Sequence, residues 1–225
     1  MTRRGHARGV RGLICGSFGP GDPPPRGCSS RFGRLRRDGP VLVGVMLGTL
    51  SLAACDTTSV APQYTPSTSN VLAIQSALGA ASSKVRLGDF TTDAGAERVG
   101  CRAIDVDVAG GKSLGAYLKD ALRTELVGAG AYDAGSSTVI SGRLTTIKVS
   151  TFTKGAWTLG IDIKSNSSAG YHVEITRPFP AAYMSADVAC VNAGNAFAPT
   201  VQALFAEMIA NPGFAQLAAR RRVTP

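Results

Sequence analysis

Residues 155–165 read Gly-Ala-Trp-Thr-Leu-Gly-Ile-Asp-Ile-Lys-Ser. Trp157, Leu159, Ile161 and Ile163 alternate with Thr158, Gly160, Asp162 and Lys164, the period of two that sends successive side chains to opposite faces of a strand. A slip of one residue would turn the whole apolar set towards water, so the register of this strand is strongly specified. Working outward, the Lys154-Gly155 pair can turn the chain into the strand, and Asn166 to Gly170 form the loop that leaves it. Tyr171, Val173 and Ile175 return with His172 and Glu174 on the opposite face, and Pro178 and Pro180 are expected to end that strand. Upstream, Ile140 and Leu144 share one parity while Ile147 and Val149 take the other. A bend or bulge near Thr145 or Thr146 must therefore re-aim the strand. The three pieces read as an antiparallel meander.

The flanks supply one or two further strands and the helices. Val85, Leu87 and the Asp89-Phe90 pair suggest a first strand, and Ile104, Val106 and Val108 alternate with Asp105 and Asp107 in a second extended piece. Ser113 can cap a helix whose apolar stripe is Leu114, Tyr117, Leu118, Ala121, Leu122 and Leu126, with Gly128 and Gly130 as its stop. A longer helical region from about Ala186 to Ala210 turns Phe197, Val201, Leu204, Phe205 and Met208 inward. Pro199 either kinks it or starts its second half. Asn211-Pro212 breaks it, and Phe214 and Leu217 suggest one more turn or two. The expected fold is a single α+β domain over residues 82–217, a mainly antiparallel sheet of about four strands with two main helices on one face.

Charge is distributed unevenly along the chain. Residues 1–54 hold nine arginines and two aspartates, whereas residues 55–225 hold 15 basic and 13 acidic groups, three of the basic ones being Arg220, Arg221 and Arg222 in the tail, residues 218–225. The pI of 9.7 therefore reflects the first segment and is no nucleic-acid footprint, because phosphate binding needs cations gathered on a folded face, and no nucleic-acid partner is expected.

Residues 41–54 carry no charge, follow Arg34, Arg36 and Arg37, and precede Cys55. A membrane-spanning helix needs about 20 apolar residues to cross roughly 30 Å of hydrocarbon, so this stretch reads as a signal-peptide core. Leu52-Ala53-Ala54-Cys55 resembles the bacterial lipobox. That resemblance implies cleavage after Ala54 and fatty acylation of Cys55, making residues 1–54 a leader, with a covalent lipid on Cys55 and no other cofactor. Residues 1–33, with Cys15, Cys28 and four prolines, fit no part of a signal peptide, and a misassigned translation start is the hypothesis that accounts for them. Asp56 resembles the inner-membrane retention signal of enterobacterial lipoproteins, so a membrane-anchored protein facing the periplasm is expected, with the inner membrane favoured over the outer.

Residues 55–81 read as lipidated cysteine, tether and short helix. Residues 56–70 are rich in Ser, Thr and Pro and are expected to form a flexible stalk, at most ~50 Å long when extended. Val71, Ile74 and Leu78 suggest the short helix, ending at Gly79. With the leader and Cys55 set aside, Cys101 and Cys190 remain, and in an oxidising compartment a disulfide is the natural reading, two separate buried thiols being the alternative.

No catalytic or metal site emerges. His172 has no nucleophile or orienting group indicated by spacing. Asp105 and Asp107 read as a solvated strand face. Gly110-Gly111-Lys112-Ser113 lacks the first glycine of a phosphate loop, its place being taken by Val106. Ser136 and Ser141 carry no nucleophile-elbow motif.

Val85 to Phe90, Ala121 to Asp133, Val139 to Leu144, Gly155 to Asn166 and Ala189 to Leu217 together resemble the YajG-type bacterial lipoproteins. More distantly they are similar to lipoprotein activators of peptidoglycan synthases and auxiliary lipoproteins of lipid transporters. These are core and turn residues, so the resemblance implies the fold and transfers no catalytic residue. It implies a non-enzymatic interaction or accessory module of the cell envelope with a protein partner. The alternative is a carrier or sensor holding a small apolar ligand between sheet and helices.

Overall fold

A computed structural model describes residues 59–60, 62–79, 83–93, 99–102, 104–152 and 154–219, all within the compact unit Leu52–Pro225. The signal core, Leu52, Ala53, Ala54, Cys55, Asp56 and the arginines at 220–222 lie outside the described residues.

The chain runs β1 (Ser59–Val60), α1 (Thr68–Gly79), β2 (Arg86–Thr92), β3 (Gly100–Cys101), β4 (Ile104–Asp107), α2 (Leu114–Gly128), β5 (Val139–Ser150), β6 (Gly155–Ser165), β7 (Tyr171–Phe179), α3 (Ala186–Ala210) and α4 (Gly213–Ala218). The main sheet has the order β2-β5-β6-β7. Its β5-β6-β7 part is the antiparallel meander expected from the alternation. β2 joins β5 in parallel, because α2 lies between them in the chain and provides the crossover that a parallel pair needs. The fold is α+β, with one open four-stranded sheet.

The parity switch in β5 is resolved where the sequence requires it. The β5-β6 register shifts between Leu144 and Thr146, so Leu144 pairs with Ile161 and Ile147 with Leu159. Both sides of the switch then face the same way. A second shift, between Leu87 and Phe90 in β2, gave no sequence signal.

Trp157, Leu159, Ile161 and Ile163 are fully buried or nearly so and pack with Phe197, Val201, Leu204 and Phe205 of α3 and Leu118 and Leu122 of α2. Burying each large apolar side chain contributes about 1.5–3 kcal/mol, which fixes the layer order of helices over one sheet face. The Trp157 indole N–H donates to Ala193 O at 2.9 Å. Ser113 caps α2 by accepting from Ala116 N at 3.2 Å, and Ser185 caps α3 from Val188 N at 3.3 Å.

Two expectations need correction. Pro178 does not end β7: the strand runs through it to Phe179, pairing Pro178 with Ala156. Proline is tolerated there because β7 is an edge strand with no neighbour on its outer side to miss the N–H. The Ile104 segment, read as a second extended piece, forms β4 of a small sheet of order β1-β4-β3. Residues 62–70 are not a free stalk. Thr68, Ser69 and Asn70 already belong to α1, Asn70 is buried, and Tyr64 packs on the core. Pro199 is absorbed within the 25-residue α3.

Candidate functional site

The face of the sheet turned away from the helices is polar and half open. In register across three strands, Arg143 pairs with Asp162 and Asp162 with His172. The side chains follow the backbone order. Arg143 donates to Asp162 at 2.7 Å, and Asp162 meets His172 Nδ1 at 2.7 Å through its other oxygen. Arg143 also approaches Asp93 at 3.5 Å. The hydrogen bond from Arg143, then that from His172, holds the Asp162 carboxyl below its usual range. The Arg143 guanidinium is raised in turn, mainly by Asp162. All of these side chains are about half exposed, so the row contributes little to stability and chiefly sets the charge pattern of the surface. Beside it lies a groove of about 750 Å³ lined by Asp89, Arg143, Asp162, Lys164, Gly170 and Tyr171 among others. A Thr158–Thr176 hydroxyl pair at 2.9 Å extends the polar surface. Such a face can take hydrogen bonds and ion pairs from a partner.

Glu125 of α2 was not singled out by the sequence. It is fully buried, and one oxygen accepts from the Tyr64 hydroxyl, from Ser67 N at 2.9 Å and from Asn70 Nδ2 at 3.3 Å. Asn70 Nδ2 also donates to Gln202 O at 2.9 Å, and Gln202 Nε2 to Thr65 O at 2.9 Å. Tyr64 stacks edgewise on Tyr117 and Phe205. Burial, and then Glu125, pushes the Tyr64 hydroxyl far up. Burial raises that of Tyr117 to about 12. The three donors to Glu125 lie on residues 64–70, so the carboxylate acts as a clasp on the segment expected to be a stalk. One signal could have found it. Position 125 stands three and four residues after Leu122 and Ala121, so a carboxylate falls on the apolar stripe of α2.

Of the residues singled out from sequence, Cys101 and Cys190 are joined in a disulfide with Cα atoms 5.7 Å apart, tying β3 to α3. Asp107 braces its own loop, accepting from Ala109 N at 3.0 Å and Gly111 N at 2.7 Å. Lys112 pairs with Asp120 at 2.6 Å, and Ser113 is spent as the α2 cap. Ser136 donates to Lys84 O at 2.6 Å, and Ser141 lies in the open groove. None of these forms a hydrogen bond or ion pair with His172, whose partner is Asp162.

The chain matches no family model and no curated protein. Among solved structures it is similar to the crystal structure of a Xanthomonas campestris protein of family DUF330, with a TM-score of 0.45 and 12% sequence identity, over 60% of this chain and 85% of that one.

Proposed function

We propose that this chain is a bacterial lipoprotein of the YajG type, anchored through an acylated Cys55 on the periplasmic side of the membrane, where it serves as a non-enzymatic interaction module. The observation that carries the docking role is the open polar face of the four-stranded sheet, with its Asp93-Arg143-Asp162-His172 row. Helices cover the other face, and among the described residues no helix covers this one. Support for the anchor comes from the basic flank, apolar core, small residues and cysteine at 34–55, and the Cys101–Cys190 disulfide suits an oxidising compartment. Asp56 favours the inner membrane. The apolar-carrier alternative has less support, since Trp157, Phe197 and Phe205 fill the space between sheet and helices.

The test is photo-crosslinking in intact cells from a reactive residue at Thr158, with Leu72 on α1 as the comparison site. A discrete adduct from Thr158 that disappears with Arg143→Glu is expected. No adduct from the sheet face, or the same adduct from Leu72, would overturn the docking role. Metabolic palmitate labelling of the wild type, set beside Cys55→Ser, tests the anchor separately.

A further inference from the structure

Where β1 enters the fold limits how far the domain can stand from its anchor. Only residues 56–58 separate Cys55 from Ser59, whose backbone is already paired with Val106. Four Cα steps reach at most ~14 Å, against the ~50 Å of the stalk expected from composition. The pairing is parallel, Ser59 with Val106 and Val60 with Asp107. Followed backwards, β1 therefore points towards the start of β4, where the turn at Arg102 joins it to β3.

An apolar surface stands at that turn. Arg102, held at a left-handed φ of 56°, donates to Thr151 O at 2.8 Å, Tyr183 O at 3.3 Å and Ala182 O at 3.4 Å. Its guanidinium lies 5.3 Å from the centre of the Phe152 ring. One side chain thus ties the β5-β6 loop to the β7-α3 loop. Phe152 is 62% exposed, Tyr183 67% and Met184 92%, and Val188 and Val191, three apart on α3, are 50% and 46%. Large apolar side chains gathered like this in water mark a contact surface. Aromatic and aliphatic tips around a cation suit the boundary between headgroups and acyl chains.

We infer that the surface around Phe152, Tyr183 and Met184 rests on the lipid bilayer beside the acylated Cys55, so that the domain is held in one orientation rather than swinging on a tether. The occupant is a lipid surface because β1, followed backwards, leads towards this patch, and at most ~14 Å of chain separates its start from Cys55. The inference rests on the proposed acylation of Cys55.

The full-length lipidated protein is reconstituted into vesicles of phosphatidylethanolamine and phosphatidylglycerol, with Met184→Cys carrying a polarity-sensitive dye. In the processed chain this is the free thiol, Cys55 being acylated and Cys101 and Cys190 bonded. Tyr183→Cys is the second site, and Ala134→Cys the distant one. Ala134 lies before the start of β5, and Phe152 follows its end roughly 35 Å along the strand. A several-fold fall in quenching by aqueous iodide is expected at positions 184 and 183 on going from detergent to vesicles, with none at 134. Unchanged quenching at 184 and 183 while the protein floats with the vesicles would overturn the orientation and leave the anchor standing. A wild-type protein that does not float would overturn the anchor, and the orientation with it.

Discussion

Asp162 stands directly opposite His172 in the β6-β7 ladder, and their side chains meet at 2.7 Å on the open face of the sheet. Arg143 closes on the same carboxylate from β5, so Asp162 ionises more readily in the native protein than its ordinary value of 3.8. A carboxyl depressed on folding gives stability that is complete above about pH 4 and is lost as the pH falls through the native value. Asp162→Asn should therefore lower the urea midpoint only slightly at pH 7, since exposed pairs are weak, and flatten the acid limb of a midpoint-against-pH curve by the same small amount. An acid limb identical to that of the wild type would show that the row is not coupled in solution.

The Cys101–Cys190 bond closes a loop with a sequence separation of 89. On the chain-entropy argument such a bond contributes up to ~4.5 kcal/mol, and removing a native disulfide commonly costs about 2–5 kcal/mol. The double variant Cys101→Ser, Cys190→Ser should lose stability in that range by urea unfolding. Reductant should lower the wild-type midpoint towards that of the variant and leave the variant where it is. A wild-type midpoint indifferent to reductant, with the bond demonstrably broken, would contradict this.

Glu125 and Tyr64 hold residues 64–70 on the domain through one carboxylate oxygen. Glu125→Leu leaves the partly buried Tyr64 hydroxyl and Ser67 N–H without their acceptor, at up to about 1–3 kcal/mol for each polar group left unmatched. Tyr64→Phe removes a single hydrogen bond and should cost about 1–2 kcal/mol. Both should raise amide exchange over residues 64–70 well before β5 and β6, whose burial does not depend on the clasp. Uniform exchange across the chain would mean that Glu125 supports the whole core instead.

The meander was legible because burial of one sheet face leaves a two-residue period, and that period even required the shift at Thr145. α2 was legible through its Ser113 cap and stripe, and α3 through its stripe. The parallel β2-β5 pair was not, because a short run such as Val85 to Phe90 carries no mark of its partner. The docking of residues 62–70 was hidden for a different reason. Ser, Thr and Pro offer little surface to bury, and the segment is held by Tyr64, Asn70 and a carboxylate more than fifty residues away. The Arg143-Asp162-His172 row depends on cross-strand register, which parity narrows to a face without naming the pairs.

Gly115 shows how close packing can reverse a local preference. It lies in α2, where alanine is ordinarily better than glycine by up to about 1 kcal/mol. A Cβ built there would stand 2.3 Å from Phe90 O and 2.9 Å from Phe90 C, backbone atoms of β2. A side chain could rotate aside, but Phe90 belongs to a strand paired along β5, so helix and sheet must separate instead. Overpacking of this kind typically costs 1–3 kcal/mol, which exceeds the propensity gain. Gly115→Ala should therefore be destabilising by roughly 1–2 kcal/mol. Gly79, at the end of α1, has nothing within 4 Å of the same added atom, and Gly79→Ala should be neutral or slightly stabilising. If urea unfolding finds the two substitutions equal, the close approach of α2 to β2 at Phe90 is wrong.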